Sequence, residues 1–318
     1  MRAALVEEIG KPPVFTETAP PKQGPGETLV AVTAAPINPV DLSTAAGRYP
    51  GGSPETPYIP GREAVGTVAG SNRFGEGTRV YLGAPPARNG AMAEFCACPD
   101  SEVFAVPSGI DDSLAACFGV AGLAGWLPIT WRGRLKEGET VLVLGATGPV
   151  GKVAVQAAKL NGAGRVIAVA RDPQELERVK ELGADATVRI GEADDLAQAF
   201  RDAAEGDIQL VIDPLWGEPG AAALEALAIF GRHVQIGQTA SPTAEIRSGA
   251  IRTKNVEILG HTNHLAPTEV REQAYREMCE HAAAGRLKLE YEELPLEQIR
   301  EAWERQERFP HKKLVLRP

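Results

Sequence analysis

The sequence predicts an α/β chain of two domains, a β-rich domain followed by a doubly wound parallel sheet. Three observations predict it. Residues 1 to about 118 hold short strand-like pieces among many glycines and prolines. From Thr140 onward, apolar strands alternate with helical stretches, the order of a parallel sheet with crossover helices. Between Val141 and Gly151 an apolar run enters a glycine-rich turn that small residues follow at helical spacing.

Taken in order, strands are expected at 3–6, 28–33, 65–69, 79–82 and 93–98. The segment 48–61 carries Pro50, Pro54, Pro57 and Pro60, which excludes a helix or central strand and suits an irregular loop over a cleft. Strands at 141–144 and 166–169 flank the glycine turn. Asp172 then caps a helix with Pro173 at its first position and Glu175 closing the box, running to about Leu182. Strands near 186–188, 208–212, 233–236 and 256–259 alternate with helices at 194–204 and 219–229, giving a sheet of about six strands. A helix at 267–284, a short strand, a helix at 296–306 and a last strand at 313–316 return to the first domain. The expected division is 1–118 with 261–318, and 119–260.

Gly145, Gly148 and Gly151 let the backbone turn tightly beside a pyrophosphate, whose charge would rest on the amides opening the next helix. The GxGxxG window falls on Ala146, Gly148 and Gly151, with alanine at the first glycine, so the strand–turn–helix–strand context carries the reading. A P-loop competes through Gly151 and Lys152. It fails because Ala146 stands at its first glycine and Val153 at its hydroxyl position, and Lys152 then reads as a solvated helix residue. Gly145, Ala146, Thr147, Gly148, Pro149 and Val150 are the expected phosphate-side contacts.

An NAD site ends its second strand with an acid that takes the ribose hydroxyls. Here that place holds Ala170 with Arg171 beside it, which favours NADPH through a pairing with the 2′-phosphate. Asp172 is the alternative ribose partner, although capping explains it without any ligand. Arg189, near the end of the next strand, is placed to assist. The nicotinamide end is expected at Ile236, Gly237, Gln238, Gly260, His261 and Thr262, with Ala121 and Gly122 at the domain crossover. Asp213 ends a strand at the same rim, with a turn role and a cofactor contact both open.

Composition bounds the rest. A net charge of −9 argues against a nucleic-acid surface, which needs a basic stripe. No apolar run reads as long enough to span a membrane and no secretory leader is visible, so a cytoplasmic protein is expected. Cys96, Cys98, Cys117 and Cys279 match neither a disulfide framework nor a zinc loop, and packing is their default role. His261 and His264 lack a neighbouring carboxylate or thiol and read as polar loop residues.

The motifs AAPINPVD (34–41), PGREAVGTV (60–68), FGVAGLAGW (118–126), LVLGATGPVGKVAVQAAKLNGA (142–163), ELGAD (181–185), VIDPLWG (211–217), GRHVQIG (231–237) and HKKLVL (311–316) together resemble the medium-chain dehydrogenase/reductase superfamily, in its zinc-free quinone oxidoreductase branch. The resemblance covers essentially the whole chain. It implies a GroES-like catalytic domain, a Rossmann cofactor domain and a homodimer. Zinc alcohol dehydrogenases of the superfamily place a cysteine where this chain has Asn38 and a His-Glu pair where it has Arg62 and Glu63. An arginine stays protonated and cannot bind zinc.

Without a Lewis acid to ease the loss of a hydroxyl proton, reduction of a quinone or α,β-unsaturated carbonyl is the expected chemistry, on a small-molecule substrate. By the same resemblance Asn38 faces the nicotinamide or the substrate oxygen, and Asp41 lies at the cleft or fixes its loop. Tyr49 donates to substrate or packs as a wall residue. The family often has a tyrosine two residues after the aspartate; Ser43 stands there, which leaves the proton donor open. None of the five tyrosines has a lysine four residues on, so the YxxxK short-chain reductases do not match. A cofactor-holding protein without turnover is the alternative.

Overall fold

Every second residue over most of Glu27–Pro36 is buried, the period of a strand with one face on a core, and this strand organises the first of two units. The structure, a computed structural model, describes residues 1–318. Its units are Met1–Ala121 with Glu272–Pro318, and Gly122–Arg271. The first opens with the antiparallel pair β1 (Arg2–Leu5) and β2 (Val14–Glu17), then β3 (Glu27–Pro36) and the short helix α1 (Pro39–Ala45). Antiparallel strands β4 (Glu63–Gly70), β5 (Arg79–Gly83), β6 (Phe95–Pro99) and β7 (Val103–Ala105) follow, with β3 between β4 and β6. Cys96 and Cys98 are buried on β6, and burial pushes both thiols up, as small apolar core groups require.

Helical structure runs from α2 (Asp112–Cys117) through a π turn at Phe118–Gly122 and α3 (Leu123–Leu127) to a second π turn at Pro128–Arg132. This corrects the expectation that no segment could span a membrane. Asp112–Arg132 is long and apolar enough by length and composition, and 78% of its apolar window is buried inside the protein, as in a core helix. Three glycines and Pro128 obscure that continuity in the sequence.

The second unit continues with β8 (Thr140–Leu144), α4 (Pro149–Leu160), β9 (Arg165–Ala170), α5 (Pro173–Glu181), β10 (Ala186–Arg189) and α6 (Leu196–Ala204). After these come β11 (Ile208–Asp213), α7 (Gly217–Ala226), β12 (Leu227–Gln235), α8 (Ser248–Arg252) and β13 (Glu257–Gly260). The six strands are all parallel in the order β10-β9-β8-β11-β12-β13, so the order reverses between β8 and β11, beside the glycine turn. The helix expected to reach Ile229 stops at Ala226, because Leu227 pairs with Ile208 and begins β12.

Lys152 is also corrected. It is buried on α4, with Nζ 3.0 Å from the Glu175 carboxylate. Small residues surround it on the helix, and a buried ammonium needs such a partner.

Helix α9 (Thr268–Ala283) spans the boundary at Arg271 and Glu272, and β14 (Tyr291–Pro295), α10 (Ile299–Glu307) and β15 (Lys313–Arg317) complete the first unit. Strand β15 lies between β14 and β3, with Val315 opposite Pro36. Leu314, Leu316 and Trp303 join Val30, Val32 and Leu82 in one core.

Candidate functional site

The sharp turn from β3 into α1 is made by Asn38, whose extended backbone caps the helix while Pro39 pre-sets its first residue. Asp41 completes a capping box, its Oδ2 accepting from the Asn38 amide at 2.8 Å. The Asn38 side chain is fully buried, donating through Nδ2 to Glu63 Oε1 at 2.8 Å and accepting through Oδ1 from Lys313 Nζ at 2.5 Å. Both polar ends of this amide are thus engaged inside the unit. Glu63 Oε2 also accepts from the Val120 amide at 2.5 Å and the Tyr81 hydroxyl at 3.3 Å. Lys313 donates in addition to the Ile37 carbonyl at 3.0 Å.

Two buried carboxyls thus lie in the field of one buried ammonium, which hydrogen-bonds to Asn38 and Ile37 rather than to either of them. Burial raises the Glu63 carboxyl, against the pull of Lys313. Burial raises Asp41 to about 7, opposed by the Asn38 amide and helped by Glu63. The neutral form of Asp41 is favoured by folding, so its stabilisation is complete below the unfolded value of 3.8 and is lost as pH rises through about 7. Asp41→Asn cannot titrate. The stability of the wild type relative to that variant is expected to fall between about pH 4 and pH 7 in urea unfolding, whereas a constant difference would mean that Asp41 is ionised throughout.

Tyr49, half-buried after α1, lies under the Arg62 guanidinium, whose carbon is 5.1 Å from the ring centroid. Arg62 precedes β4, and the Ala84 amide holds its carbonyl at 2.8 Å. Among all described residues, no group of three or more His, Cys, Asp or Glu is arranged to hold a metal ion.

In the second unit the turn after β8 has the shape that a pyrophosphate needs. Gly145 has φ +61°, and a Cβ on Gly151 would fall 2.4 Å from the Gly145 carbonyl oxygen, so neither glycine is replaceable without moving backbone. A Cβ on Gly148 would meet nothing nearer than 3.6 Å, leaving that face open to a ligand. Ala146 and Thr147 are buried, and Pro149 and Val150 open α4 with amides at its N-terminus.

Ala170 is buried at the end of β9, and Asp172 Oδ1 accepts from the Gln174 and Glu175 amides as a helix cap. Arg171 and Arg189 are exposed on adjacent strand ends, Arg189 Nε donating to the Arg171 carbonyl at 3.0 Å. These residues fit a dinucleotide with a 2′-phosphate: small and uncharged at Ala170, cationic beside it.

The nicotinamide-side residues divide. Ile236, Gly237 and Gln238 follow β12, the Ile236 amide bonded to the Asp213 carbonyl at 2.9 Å and Gln235 donating to the Gly237 carbonyl at 2.6 Å. Gly260 accepts from Arg132 at 3.0 Å. His261 stands edge-on to Trp131, and burial lowers it to about 4, so it is neutral at pH 7. Asp213 makes the contacts of a turn. Its fully buried carboxylate holds the Leu215 and Trp216 amides through Oδ1 and His233 Nε2 at 2.8 Å through Oδ2, leaving no exposed oxygen. Ala121 and Gly122 are buried in the π turn that begins at Phe118.

Sequence reasoning passed over Lys313, Tyr81 and His233. Only the lysine had a signal, a cation inside the apolar strand KLVLR.

Residues 24–108 match the alcohol dehydrogenase GroES-like domain family and residues 149–280 the zinc-binding dehydrogenase family. The human quinone oxidoreductase is 28% identical over 312 residues, 96% of this chain and 93% of that protein. The structure of the quinone oxidoreductase from Thermus thermophilus, also described in complex with NADPH, aligns over all of both chains at 28% identity with a TM-score of 0.79. A mycocerosic acid synthase-like polyketide synthase of Mycobacterium tuberculosis is 31% identical over 68% of this chain, which spans only about 10% of that longer protein. Two family matches in this order, on a six-stranded parallel sheet and an antiparallel unit that β15 completes, place the chain in the medium-chain dehydrogenase/reductase superfamily, within its zinc-free quinone oxidoreductase branch.

Proposed function

We propose that this protein is an NADPH-dependent reductase of quinones or α,β-unsaturated carbonyls that works without a metal. The observation that carries the reading is the adenosine end of the cofactor turn: Asp172 is held as a cap while Arg171 and Arg189 stand exposed beside the small Ala170. Bound NADPH supplies a hydride. The chain's part is to hold the phosphates on the amides after Gly148, present the 2′-phosphate to the two arginines and receive the acceptor near Asp41 and Tyr49. Asp41, kept near neutral charge by burial, can hold the proton that a reduced acceptor needs.

The test pairs two measurements. Loss of absorbance at about 340 nm is expected with NADPH and at least one quinone or enone, and Arg171→Ala with Arg189→Ala is expected to weaken NADPH about tenfold or more while leaving NADH little changed. Equal losses for both cofactors would remove the arginines from 2′-phosphate recognition. A cofactor-holding protein without turnover is the second reading, favoured by the full burial of Asn38, and tight NADPH binding with no acceptor reduced would select it.

A homodimer belongs to the same proposal. Strand β13 ends the parallel sheet with Ile258 exposed, and Ile229 and Phe230 on β12 are 67% and 69% exposed. Light scattering on a sizing column is expected to give twice the chain mass. Four buried free cysteines agree with a reducing, cytoplasmic location.

A further inference from the structure

Arg62 is half-buried, its guanidinium lies over the Tyr49 ring, and it has neither an ion pair nor a side-chain hydrogen bond. Other half-buried arginines have polar partners: Arg79 pairs with Asp112, Arg165 with Glu205 and Arg305 with Glu292, while Arg132 donates to the Gly260 carbonyl and Arg201 to Gln198. The carboxyls nearest in sequence and charge do not serve Arg62. Glu63 points the other way along β4 into the buried network, and Asp41 feels the Arg62 charge but turns Oδ2 to the Asn38 amide and forms no ion pair with the guanidinium. Lys313, the other cation of the region, is engaged by Asn38 and Ile37. The guanidinium rests over the Tyr49 ring, and its N–H donors have no acceptor within hydrogen-bond reach; such a fork is the group that matches a carboxylate's two oxygens. A phosphate, with its larger charge, would call for a second committed cation.

We propose that Arg62 is a substrate-binding residue that takes a carboxylate carried by the acceptor beside its conjugated carbonyl, so that unsaturated 2-oxo acids are the preferred class. This rests on the reductase reading and narrows its substrate. Tyr49 serves as the platform on which the guanidinium rests. The net charge of −9 gives no general attraction for anions, so the preference is local to this residue.

The test compares benzylidenepyruvate with the neutral benzylideneacetone by calorimetric titration of the whole protein, first without cofactor and then by turnover with NADPH. Wild type is expected to bind the acid about tenfold or more tighter than the ketone. Arg62→Met should abolish that difference and Arg62→Lys should keep part of it, each with NADPH affinity unchanged as the check on folding. Equal binding of the two compounds by wild type, or an acid preference that survives Arg62→Met, overturns the proposal. Failure of wild type to reduce any quinone or enone, with the acid preference intact, would overturn the reductase reading and leave the anion site standing.

Discussion

Lys313→Met is expected to destabilise the protein by about 3–5 kcal/mol, the cost of removing one partner from a buried ionic group. Lys313 is 3% exposed, and loss of its ammonium would strand the Asn38 Oδ1 and Ile37 carbonyl acceptors while removing the charge that holds down both Glu63 and Asp41. Urea unfolding measures the change. Adding Glu63→Gln to the variant should recover part of the loss, since the neutral amide no longer needs a cation, and the recovered part is the coupling between the two sites. A loss below about 1 kcal/mol would mean that water reaches the network and replaces the lysine.

Gly151→Ala is expected to weaken NADPH binding by about 3 kcal/mol, on the order of a hundredfold in Kd, if displacing the turn removes two charge-assisted amide–phosphate bonds. The new methyl would sit 2.4 Å from the Gly145 oxygen and 2.5 Å from the Ala146 Cα, so α4 must move away from the turn. Gly148→Ala is the informative companion. Its φ of −78° suits alanine and its methyl would make only an ordinary contact, 3.6 Å from the Gly145 oxygen, so the folded chain should tolerate it. A fall in cofactor affinity there, with unfolding unchanged, would report the approach of the pyrophosphate itself. Cofactor fluorescence titration reads both variants, and an unaltered Gly148→Ala would place the phosphates elsewhere.

What the sequence disclosed was local physics. Val141–Gly151 declares a strand and a tight turn because glycines and buried β-branched residues act within a few positions, and Asp172 with Pro173 declares a helix start for the same reason. Asn38, Asp41 and Tyr49 were found through resemblance, yet the burial of Asn38 was invisible, because it depends on Glu63 and on Lys313, 275 positions away. Lys152 misled through the same gap: its partner Glu175 lies 23 positions on, past a helix and a strand. Asp213 reads equally as a cofactor contact and a turn residue in the sequence, which gives no sign that His233, from the neighbouring strand, holds its second oxygen.

The insertion of β15 beside β3 bears on how the chain must be made. A ribosome releases Asn38, Asp41 and Glu63 long before Lys313, and the intervening residues include every strand of the parallel sheet. Until the last strand emerges, the carboxyls of the first unit have no ammonium to be buried with and remain in water. The parallel sheet can therefore close first, and the antiparallel unit, begun earliest, is finished last.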